Sequence, residues 1–376
     1  MTAVKNTLLI ANFDSGVGYA WSLIEDFWIA IDKENKKINR DSIICYPSIS
    51  KIAPKIIEAK ITTLIHDFNN KSIKQILKNV QFILKNNIDT LYITDQKKRS
   101  YKYAIYRLFG IKKIIVHDHS PGIRKNKNPI IATFKKAVAN IIPGINCDAA
   151  FAVSPYITRR LQEIDALPNN IIYDITNGIK IRKASKRELN TSEVVKIVSV
   201  ARLTPYKSID FSLRALAEAI PNLQNKKVHY YIIGDGPELQ SLIELTHTLT
   251  LTNNVTFMGK LDHTKVIDQL EQCDIAIHPS KGEAMSLAIL EYMQSQLALL
   301  TSNNPSVCSA FVADIEGVTY EEGNISDAAE KLQLLIQNNQ LRFCLGAAAR
   351  EKVITHFSDT LMMDKFIAAY VTVISA

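Results

Sequence analysis

The stretch DIAIHPSKGEAMSLAILEYM, residues Asp274–Met293, joins an apolar run, a polar loop and an apolar helical pattern. It carries two carboxylates, Glu283 and Glu291, eight positions apart. On one continuous helix they would lie about 12 Å apart along the axis and point about 80° apart, so they could not share an ion. A core helix with solvated acids at its ends is one interpretation. The other places Glu283 in a loop and Glu291 inside the next helix, with free amides of the helix start between them that face an anion.

Short apolar runs alternate with longer helical patterns along the rest of the chain, which is typical of parallel βαβ construction. The predicted strands are TLLIA, SIICYP, TLYIT, KIIVHD and AAFAVS in the first half and VKIVSVA, VHYYIIGDG, NVTFMG, CDIAIHPS and LALLTS in the second. The predicted helices include Trp21–Asp32, Ser72–Asn86, Ile130–Ile141, Ile209–Ala219 and Pro237–Leu249. Two such consecutive sets predict an α/β protein with two Rossmann-like domains.

The chain has 376 residues, which is enough for two domains that each bury a core. The segment Asn177–Glu193, NGIKIRKASKRELNTSE, is polar and charged without a hydrophobic period, so we expect the domains to join there. The predicted N-terminal domain covers residues 1–180, and the predicted C-terminal domain covers residues 190–357.

The cysteines and the apolar runs indicate the compartment. Five cysteines are scattered without CxxC spacing, which favours reduced cytosolic thiols over a disulfide framework or a zinc site. No run approaches the roughly 18 apolar residues that span a bilayer, and the start MTAVKNTLLIANFDSG has no long signal core. We therefore expect a cytoplasmic protein that touches a membrane only from the side.

Positive charge is concentrated in the first half of the chain. Residues 1–178 hold 26 Lys+Arg against 15 Asp+Glu, whereas residues 179–376 hold 19 against 22. The basic clusters are Lys97-Lys98-Arg99, Lys112-Lys113, Arg124-Lys125 and Lys135-Lys136. They form either a solvated surface or a face for an anionic partner, such as membrane headgroups, an acidic glycan or nucleic acid. Nucleic acid is disfavoured because no recognised binding motif accompanies the charge.

The segment TLLIANFDSGVGYAW places Gly16 and Gly18 directly after a predicted strand. A dinucleotide fingerprint would need a third small residue, where this chain has Trp21, and an acidic residue at the end of the second strand, which is missing. A dehydrogenase is therefore disfavoured. A tight glycine turn remains, either plain or with amides that approach a ligand closely.

Two further segments point to a site for a pyrophosphate. Arg202 and Lys207 follow the strand VKIVSVA, at the edge where the ligand crevice of an open α/β sheet lies. A guanidinium and an ammonium there suit a pyrophosphate, although two surface cations are the alternative. The segment YIIGDGPELQSLIEL adds a second strand, a glycine turn at Gly234 and a helix, with Pro237 near the helix start.

In their order and spacing, these motifs resemble the retaining GT-B glycosyltransferases of glycosyltransferase family four. The resemblance is strongest from Ile197 to Ser302, and its motifs are R-x4-K at Arg202/Lys207, GDGP at Gly234–Pro237 and E-x7-E at Glu283/Glu291. It extends more weakly to the Gly16 loop, to VHDHSPG and to NGI at Asn177–Ile179. The resemblance implies two Rossmann-like domains that face a deep cleft, with a C-terminal helix, residues 358–376, that packs back on the first domain.

The resemblance also implies roles for single residues. Glu283 would hydrogen-bond hydroxyls of the donor sugar, and Glu291 would hold the ribose of the nucleotide. The other implied donor-binding residues are two turn glycines, two cations, three residues at the helix start and two near the base: Gly16, Gly234, Arg202, Lys207, Met285, Ser286, Leu287, Lys260 and Leu261. The two carboxylates are then far apart because they hold opposite ends of one long ligand.

The expected site also includes a histidine, and it lacks the usual motif for binding a metal. VHDHSPG contains His117 and His119 at the end of a predicted strand, where a histidine is often structural. The family places one histidine close to the transferred sugar, and His119 aligns with it best, with His117 as the alternative. The resemblance implies that it stabilises developing charge or orients the sugar. No Asp-x-Asp occurs, so the usual carboxylate clamp for a metal–diphosphate is missing, and we expect a UDP-sugar donor without a metal or other cofactor.

The leading hypothesis is a retaining glycosyltransferase of bacterial surface polysaccharide or lipopolysaccharide synthesis, acting on a glycan or lipid-linked acceptor. The alternatives are a nucleotide-sugar 2-epimerase of the same fold and a catalytically silent binding protein. Met285, Tyr292, Gln294 and Gln296 depart from the family pattern, which leaves the identity of the sugar open. The basic first half predicts peripheral binding to the cytoplasmic face of the inner membrane, driven mainly by residues 95–140.

Overall fold

The computed structural model describes residues 5–16, 20–70, 72–121, 142–183, 192–223 and 226–376. These residues form two compact units. The first contains the described residues up to Ser120, those from 142 to 176, and Met362–Ala376; the second contains Asn177–Leu361. Each unit is built on its own parallel sheet.

The first unit has a sheet of seven described strands. They are β1 (Asn6–Ile10), β2 (Ser42–Tyr46), β3 (Thr62–Ile65), β4 (Ile88–Thr94), β5 (Lys113–Asp118), β6 (Ala149–Ala152) and β7 (Ile172–Asp174). The helices between them are α1 (Ala20–Lys37), α2 (Pro54–Glu58), α3 (Ile73–Lys85), α4 (Tyr101–Leu108) and α5 (Pro155–Glu163). The strand order is β3-β2-β1-β4-β5-β6-β7, and every pair is parallel.

The second unit repeats this plan with six strands in its described part. They are β8 (Val194–Val200), β9 (Lys227–Ile233), β10 (Val255–Gly259), β11 (Ile275–His278), β12 (Ala298–Ser302) and β13 (Val318–Tyr320). Its helices are α6 (Ile209–Ala219), α7 (Leu239–Thr248), α8 (His263–Glu271), α9 (Leu287–Gln294), α10 (Ile325–Gln337) and α11 (Asn339–His356), and α12 (Asp359–Ser375) ends the chain. The order β10-β9-β8-β11-β12-β13 reverses between β8 and β11, which is where an open α/β sheet forms its ligand crevice.

The C-terminal helix completes the core of the first unit. Phe366 and Tyr370 of α12 are fully buried in one apolar cluster with Phe27 and Trp28 of α1. The hydroxyl of Tyr370 donates a hydrogen bond to Oδ1 of Asn35, at 2.8 Å. The stacking of α1 and α12 on one face of the sheet therefore closes this core.

All ten predicted strands are present, but β3, β7 and β13 were not predicted. Each of the three lies at an outer edge of its sheet and is only three or four residues long. Their sequences, TTLI, IYD and VTY, are too short and too mixed with polar residues to show a continuous apolar run. The helix predicted over Ile130–Ile141 lies outside the described residues. None of the helices that the structure describes is long and apolar enough to cross a membrane.

Candidate functional site

The segment that holds the two glutamates is a loop followed by a helix. Glu283 lies in the loop after β11, and Glu291 lies inside α9, so the interpretation as one continuous helix is wrong. Ser286 caps the helix, because its side chain accepts a hydrogen bond from the amide of Ile289, at 3.4 Å. Its next residue, Leu287, begins α9. The free amides of the helix start therefore lie between the two carboxylates.

Glu283 is a buried carboxylate that shares its Oε1 between two donors. Lys207 donates to this oxygen from its Nζ, and His278 Nε2 lies 2.9 Å from the same atom. Burial alone would raise the pKa of Glu283, but the hydrogen bond from His278 and the charge of Lys207 outweigh it and lower the pKa to about 2. Glu283 is therefore ionised at neutral pH, and its Oε2 makes no hydrogen bond to any described residue.

Hydrogen bonds hold the loops after β8, β11 and β12 together at one edge of the sheet. The amide of Glu283 donates to the hydroxyl of Ser306, at 3.3 Å, and that hydroxyl donates to Asn304 Oδ1, at 2.8 Å. Asn304 Nδ2 donates to the carbonyl of Lys281, at 3.2 Å. The amide of Lys281 donates to the carbonyl of Tyr206, at 3.0 Å, so the loop of Lys207 belongs to the same network.

Arg202 differs from Lys207 in its surroundings. Its side chain is exposed, and within the described part of the chain its guanidinium has no hydrogen bond or ion pair. The end of β8 that precedes it is fixed to α9 by Tyr292, whose hydroxyl accepts from the amide of Val200, at 2.6 Å. Tyr292, which departs from the family pattern, is therefore buried and connects α9 to the end of β8. An anion at this edge would find the Arg202 guanidinium unengaged.

The glycine turn after β9 packs against the loop that carries Arg202. A Cβ on Gly234 would lie 1.9 Å from the carbonyl oxygen of Ala201, and a Cβ on Gly236 would lie 2.3 Å from that of Leu203. Gly234 also has a φ of +138°, which side chains disfavour. The amide of Leu203 donates to the carbonyl of Asp235, at 2.9 Å. These glycines are therefore needed for backbone packing, whatever ligand the turn meets.

Glu291 is held by a histidine on the neighbouring helix α8. His263 Nε2 lies 2.8 Å from Glu291 Oε1, and Glu291 is buried whereas His263 is exposed. Lys260 and Leu261, the predicted base contacts, follow β10 and are separated from α8 by Asp262 alone. His263 therefore joins the predicted base-contact loop to the carboxylate predicted to hold the ribose.

The first unit contains the two candidate histidines after β5. His117 is fully buried in an aromatic cluster, with its ring 4.8 Å from Phe27 and its Nδ1 2.5 Å from the hydroxyl of Tyr92. His119 is only partly buried. Its Nε2 is nevertheless buried and, like that of His117, has no hydrogen-bond partner among the residues that the structure describes. The burial of His117 favours a structural role for it and leaves His119 as the candidate for a ligand contact.

Because the ring of His119 is desolvated, its pKa falls to about 4. We therefore expect a neutral imidazole at pH 7, which can orient a sugar by hydrogen bonding but brings no positive charge. In the unfolded chain His119 binds a proton near pH 6.5, whereas in the folded chain it binds one only near pH 4. Protonation therefore favours the unfolded state, so the free energy of unfolding decreases as the pH falls from about 6.5 to about 4. NMR titration of the histidine rings should show a His119 resonance that does not move above about pH 5. Movement centred near pH 6.5 would contradict this prediction.

The basic clusters of the first unit are partly structural. Lys98, predicted to face a membrane, is buried in an ion pair with Asp118, which also binds Arg160, at 2.8 Å. Arg99 donates to the carbonyls of Asp165 and Ala166, at 2.6 and 2.8 Å. The prediction that Lys98 meets a membrane surface is therefore wrong, because its side chain is buried and its charge is paired with Asp118. Arg124, Lys125, Lys135 and Lys136 lie outside the described residues.

Gly16, the remaining predicted donor-binding residue, lies in a turn organised by Asp14. Asp14 Oδ1 accepts from the amide of Gly16, at 2.8 Å, and Oδ2 accepts from the hydroxyl of Ser48, also at 2.8 Å. A Cβ on Gly16 would lie 2.4 Å from the hydroxyl oxygen of Ser50. This turn after β1 is therefore tied to the loop after β2; Gly18 lies outside the described residues.

His278 and His263 were missed by sequence reasoning. Each contacts one of the two glutamates, His278 from five residues before Glu283 and His263 from 28 residues before Glu291. An isolated histidine carries no motif, so only its place at a strand end or helix start could have singled it out. The second unit therefore contains two carboxylates that each contact a histidine, together with the cations of Arg202 and Lys207.

Comparisons with known proteins find a family that is similar to the second half of the chain. Residues 180–352 match the model of the family "Glycosyl transferases group 1". The poly(ribitol-phosphate) alpha-N-acetylglucosaminyltransferase of Staphylococcus aureus (strain COL) is 27% identical over 62% of this chain and 46% of its own length. This relative and two other curated relatives are matched over only 46 to 61% of their own lengths.

Two solved structures show the fold. A glycosyltransferase from Rickettsia africae superposes with a TM-score of 0.75 at 19% identity, covering 99% of both chains. Anabaena HepE in complex with UDP-glucose superposes with a TM-score of 0.71 at 17% identity, covering 98% of this chain and 99% of the other. The chain thus has the GT-B fold of these glycosyltransferases, and its residues 180–352 are similar to the family of glycosyl transferases group 1.

Proposed function

We propose that this protein is a retaining glycosyltransferase that transfers a sugar from a UDP-sugar to a glycan or lipid-linked acceptor in bacterial surface polysaccharide synthesis. The observation that carries the proposal is the ionised Glu283, held by Lys207 and His278 directly before the start of α9. A carboxylate with one free oxygen beside a helix N-terminus can accept hydroxyl protons of a sugar while the helix amides meet its phosphates.

The charges of the site fit a diphosphate leaving group. The guanidinium of Arg202 is unengaged within the described residues, and Lys207 is partly exposed. Negative charge develops on the diphosphate as the bond to the sugar breaks, and fixed positive groups stabilise that charge. In the retaining route that we propose, the leaving phosphate also takes the proton of the acceptor hydroxyl. His119, as a neutral imidazole, would orient the transferred sugar.

Two features support the assignment of donor and acceptor. HepE has been crystallised with UDP-glucose, which favours UDP as the nucleotide here. The S. aureus relative is named for poly(ribitol-phosphate), a polyanion. The excess positive charge of residues 1–178 suits a negatively charged acceptor or membrane. We therefore propose that the protein works peripherally at the cytoplasmic face of the inner membrane.

The proposed function is tested first by binding and then by turnover. UDP and UDP-sugars should raise the unfolding temperature of the purified protein, because they bind only the folded state, whereas ADP and GDP should raise it less. The UDP-sugar that gives the largest shift is then incubated with and without lipid-linked or polymeric glycans. Release of UDP in step with a glycosylated product supports the proposal. Conversion of the donor without any acceptor would instead identify an epimerase.

We expect the transfer to need no divalent ion. In the proposed site, Arg202 and Lys207 would neutralise the charge of the diphosphate, and the chain contains no Asp-x-Asp clamp. Turnover of the donor should therefore be the same in excess EDTA and in added Mg²⁺ or Mn²⁺. If EDTA abolishes turnover and Mn²⁺ restores it, the two cations do not suffice and this part of the proposal fails.

A further inference from the structure

Helix α3 presents a row of large apolar side chains to solvent. The exposed fractions of Ile73, Leu77 and Leu84 are 79%, 59% and 57%. One exposed leucine is ordinary on a protein surface. At about 100° per residue, however, these three fall within about 40° of one another around the helix axis. They lie along one side of the helix, and we call these three residues the α3 stripe.

A row of lysines borders the α3 stripe. Lys74, Lys78 and Lys85 are all exposed and lie about 100–140° around the axis from Ile73, on the side away from the core. Between Ser72 and Asn87 the sequence has these three lysines and no carboxylate. The outer side of α3 is therefore apolar along one line and positive along the next, with no negative charge of its own to neutralise the lysines.

The position of α3 does not depend on this outer side. Its inner side is buried through Ile76, Val80 and Ile83. On the same side Asn79 donates to the hydroxyl of Tyr106 and contacts His66 Nε2, both at 2.7 Å. The helix is thus fixed from within, and substitutions in the α3 stripe leave these contacts intact.

The neighbouring helix α4 also exposes large apolar side chains. The crossovers β3–α3–β4 and β4–α4–β5 run in the same direction across the sheet, so right-handed connections place both helices on one face. Tyr101 and Leu108 of α4 are 56% and 82% exposed. Lys102 is turned inwards instead, where its Nζ donates to the carbonyls of Phe68 and Asn70, at 2.9 and 3.0 Å.

We propose that the α3 stripe docks into the headgroup region of an anionic membrane, with Lys74, Lys78 and Lys85 on the lipid phosphates. A helix that lies in a membrane interface buries leucine and isoleucine on one side and sets lysines against anionic headgroups on the next. A soluble polyanion would engage the lysines but would leave the stripe in water. The inference rests on the proposed peripheral membrane position and not on sugar transfer, and it moves the contact from residues 95–140 to α3.

Vesicle flotation of the full chain tests the docking surface. At low ionic strength, the wild type should float with phosphatidylglycerol/phosphatidylcholine vesicles and not with phosphatidylcholine alone. The double variant Leu77→Gln/Leu84→Gln should bind at least about tenfold more weakly, because it removes the apolar part of the contact. The triple variant Lys74→Gln/Lys78→Gln/Lys85→Gln should lose about a hundredfold. Unchanged unfolding temperatures confirm that both variants are folded.

A matched control separates α3 from net charge. Lys227, Lys265 and Lys365 are exposed lysines elsewhere on the chain, and their replacement by glutamine removes the same charge. In about 0.1 M salt, this triple variant should bind the anionic vesicles within about twofold of the wild type, since charge is then screened beyond about 10 Å. A Leu77→Trp variant adds a direct readout: its extra emission should shift to the blue with anionic vesicles and should be quenched by brominated lipid.

The outcomes distinguish the inference from the proposal on which it rests. If the wild type does not bind anionic vesicles, the membrane position itself is wrong. If the wild type binds and the Leu77→Gln/Leu84→Gln variant binds equally well, only the docking through α3 is wrong. Analytical sedimentation without lipid tests whether a second copy of the chain binds the α3 stripe instead. If the wild type forms a dimer that the Leu77→Gln/Leu84→Gln variant does not form, the stripe is a dimer contact and the inference is overturned.

Discussion

Replacement of Arg202 by alanine should lower kcat/KM for the UDP-sugar by about 10- to 150-fold and leave the unfolding temperature unchanged. The size follows from the loss of a charge-assisted contact to phosphate, roughly 1.5–3 kcal/mol. Stability should not change because the guanidinium is exposed and has no partner within the described residues. Steady-state kinetics with varied donor, together with thermal unfolding of the same samples, measure both quantities.

The corresponding variant Lys207→Ala should differ in one respect. It removes a phosphate contact of similar strength, so the loss of kcat/KM should again reach about 10- to 150-fold. It also breaks the ion pair with the buried Glu283 and leaves His278 as the remaining donor to Oε1. The free energy of unfolding should therefore fall by about 1–3 kcal/mol, a loss that Arg202→Ala does not show.

Arg214 provides the matched control for both variants. It is an exposed arginine on α6 of the same unit and has no predicted role in the site. Arg214→Ala should keep kcat/KM and stability within about twofold and 0.5 kcal/mol of the wild type. If Arg202→Ala and Lys207→Ala both turn over the donor at nearly the rate of this control, the two cations do not bind the diphosphate.

The pattern of strands and helices could be predicted because central parallel strands are buried on both faces and read as apolar runs. The position of Glu283 in a loop and of Glu291 in a helix was left open by the sequence. Their spacing of eight fits either case, and only the cap at Ser286 decides it. A sequence pattern indicates which local structures are possible. It does not show whether packing in the folded protein selects a loop or a helix at a given residue.

The partners of charged residues could not be predicted in the same way. Lys98 and Lys207 are both lysines after a strand, yet Lys98 is buried against Asp118 and Lys207 pairs with Glu283 of another loop. His278 and His263 meet their glutamates across different loops, so no spacing in the sequence reveals them. Burial and long-range contacts determine these roles, and both depend on the folded backbone rather than on residue type.

Gly234→Ala should destabilise the protein by about 3 kcal/mol or more, the largest effect that we expect of any single methyl group in the second unit. The added Cβ would lie 1.9 Å from the carbonyl oxygen of Ala201, so the backbone of one of the two loops must move. The φ of +138° adds conformational strain to this overlap. The carbonyl is itself part of the loop that leads to Arg202, so we also expect weaker donor binding in any protein that folds.

Gly259→Ala separates the two causes, because this glycine also has a positive φ, +67°, but its Cβ would meet nothing within 4 Å. Strain alone should cost about 1–2 kcal/mol there. Gly236→Ala supplies the opposite case, since its Cβ would lie 2.3 Å from the carbonyl oxygen of Leu203 without a positive φ. Denaturant unfolding of all three variants should therefore rank Gly234→Ala as the least stable. If Gly234→Ala loses no more stability than Gly259→Ala, the close contact with Ala201 does not constrain this turn.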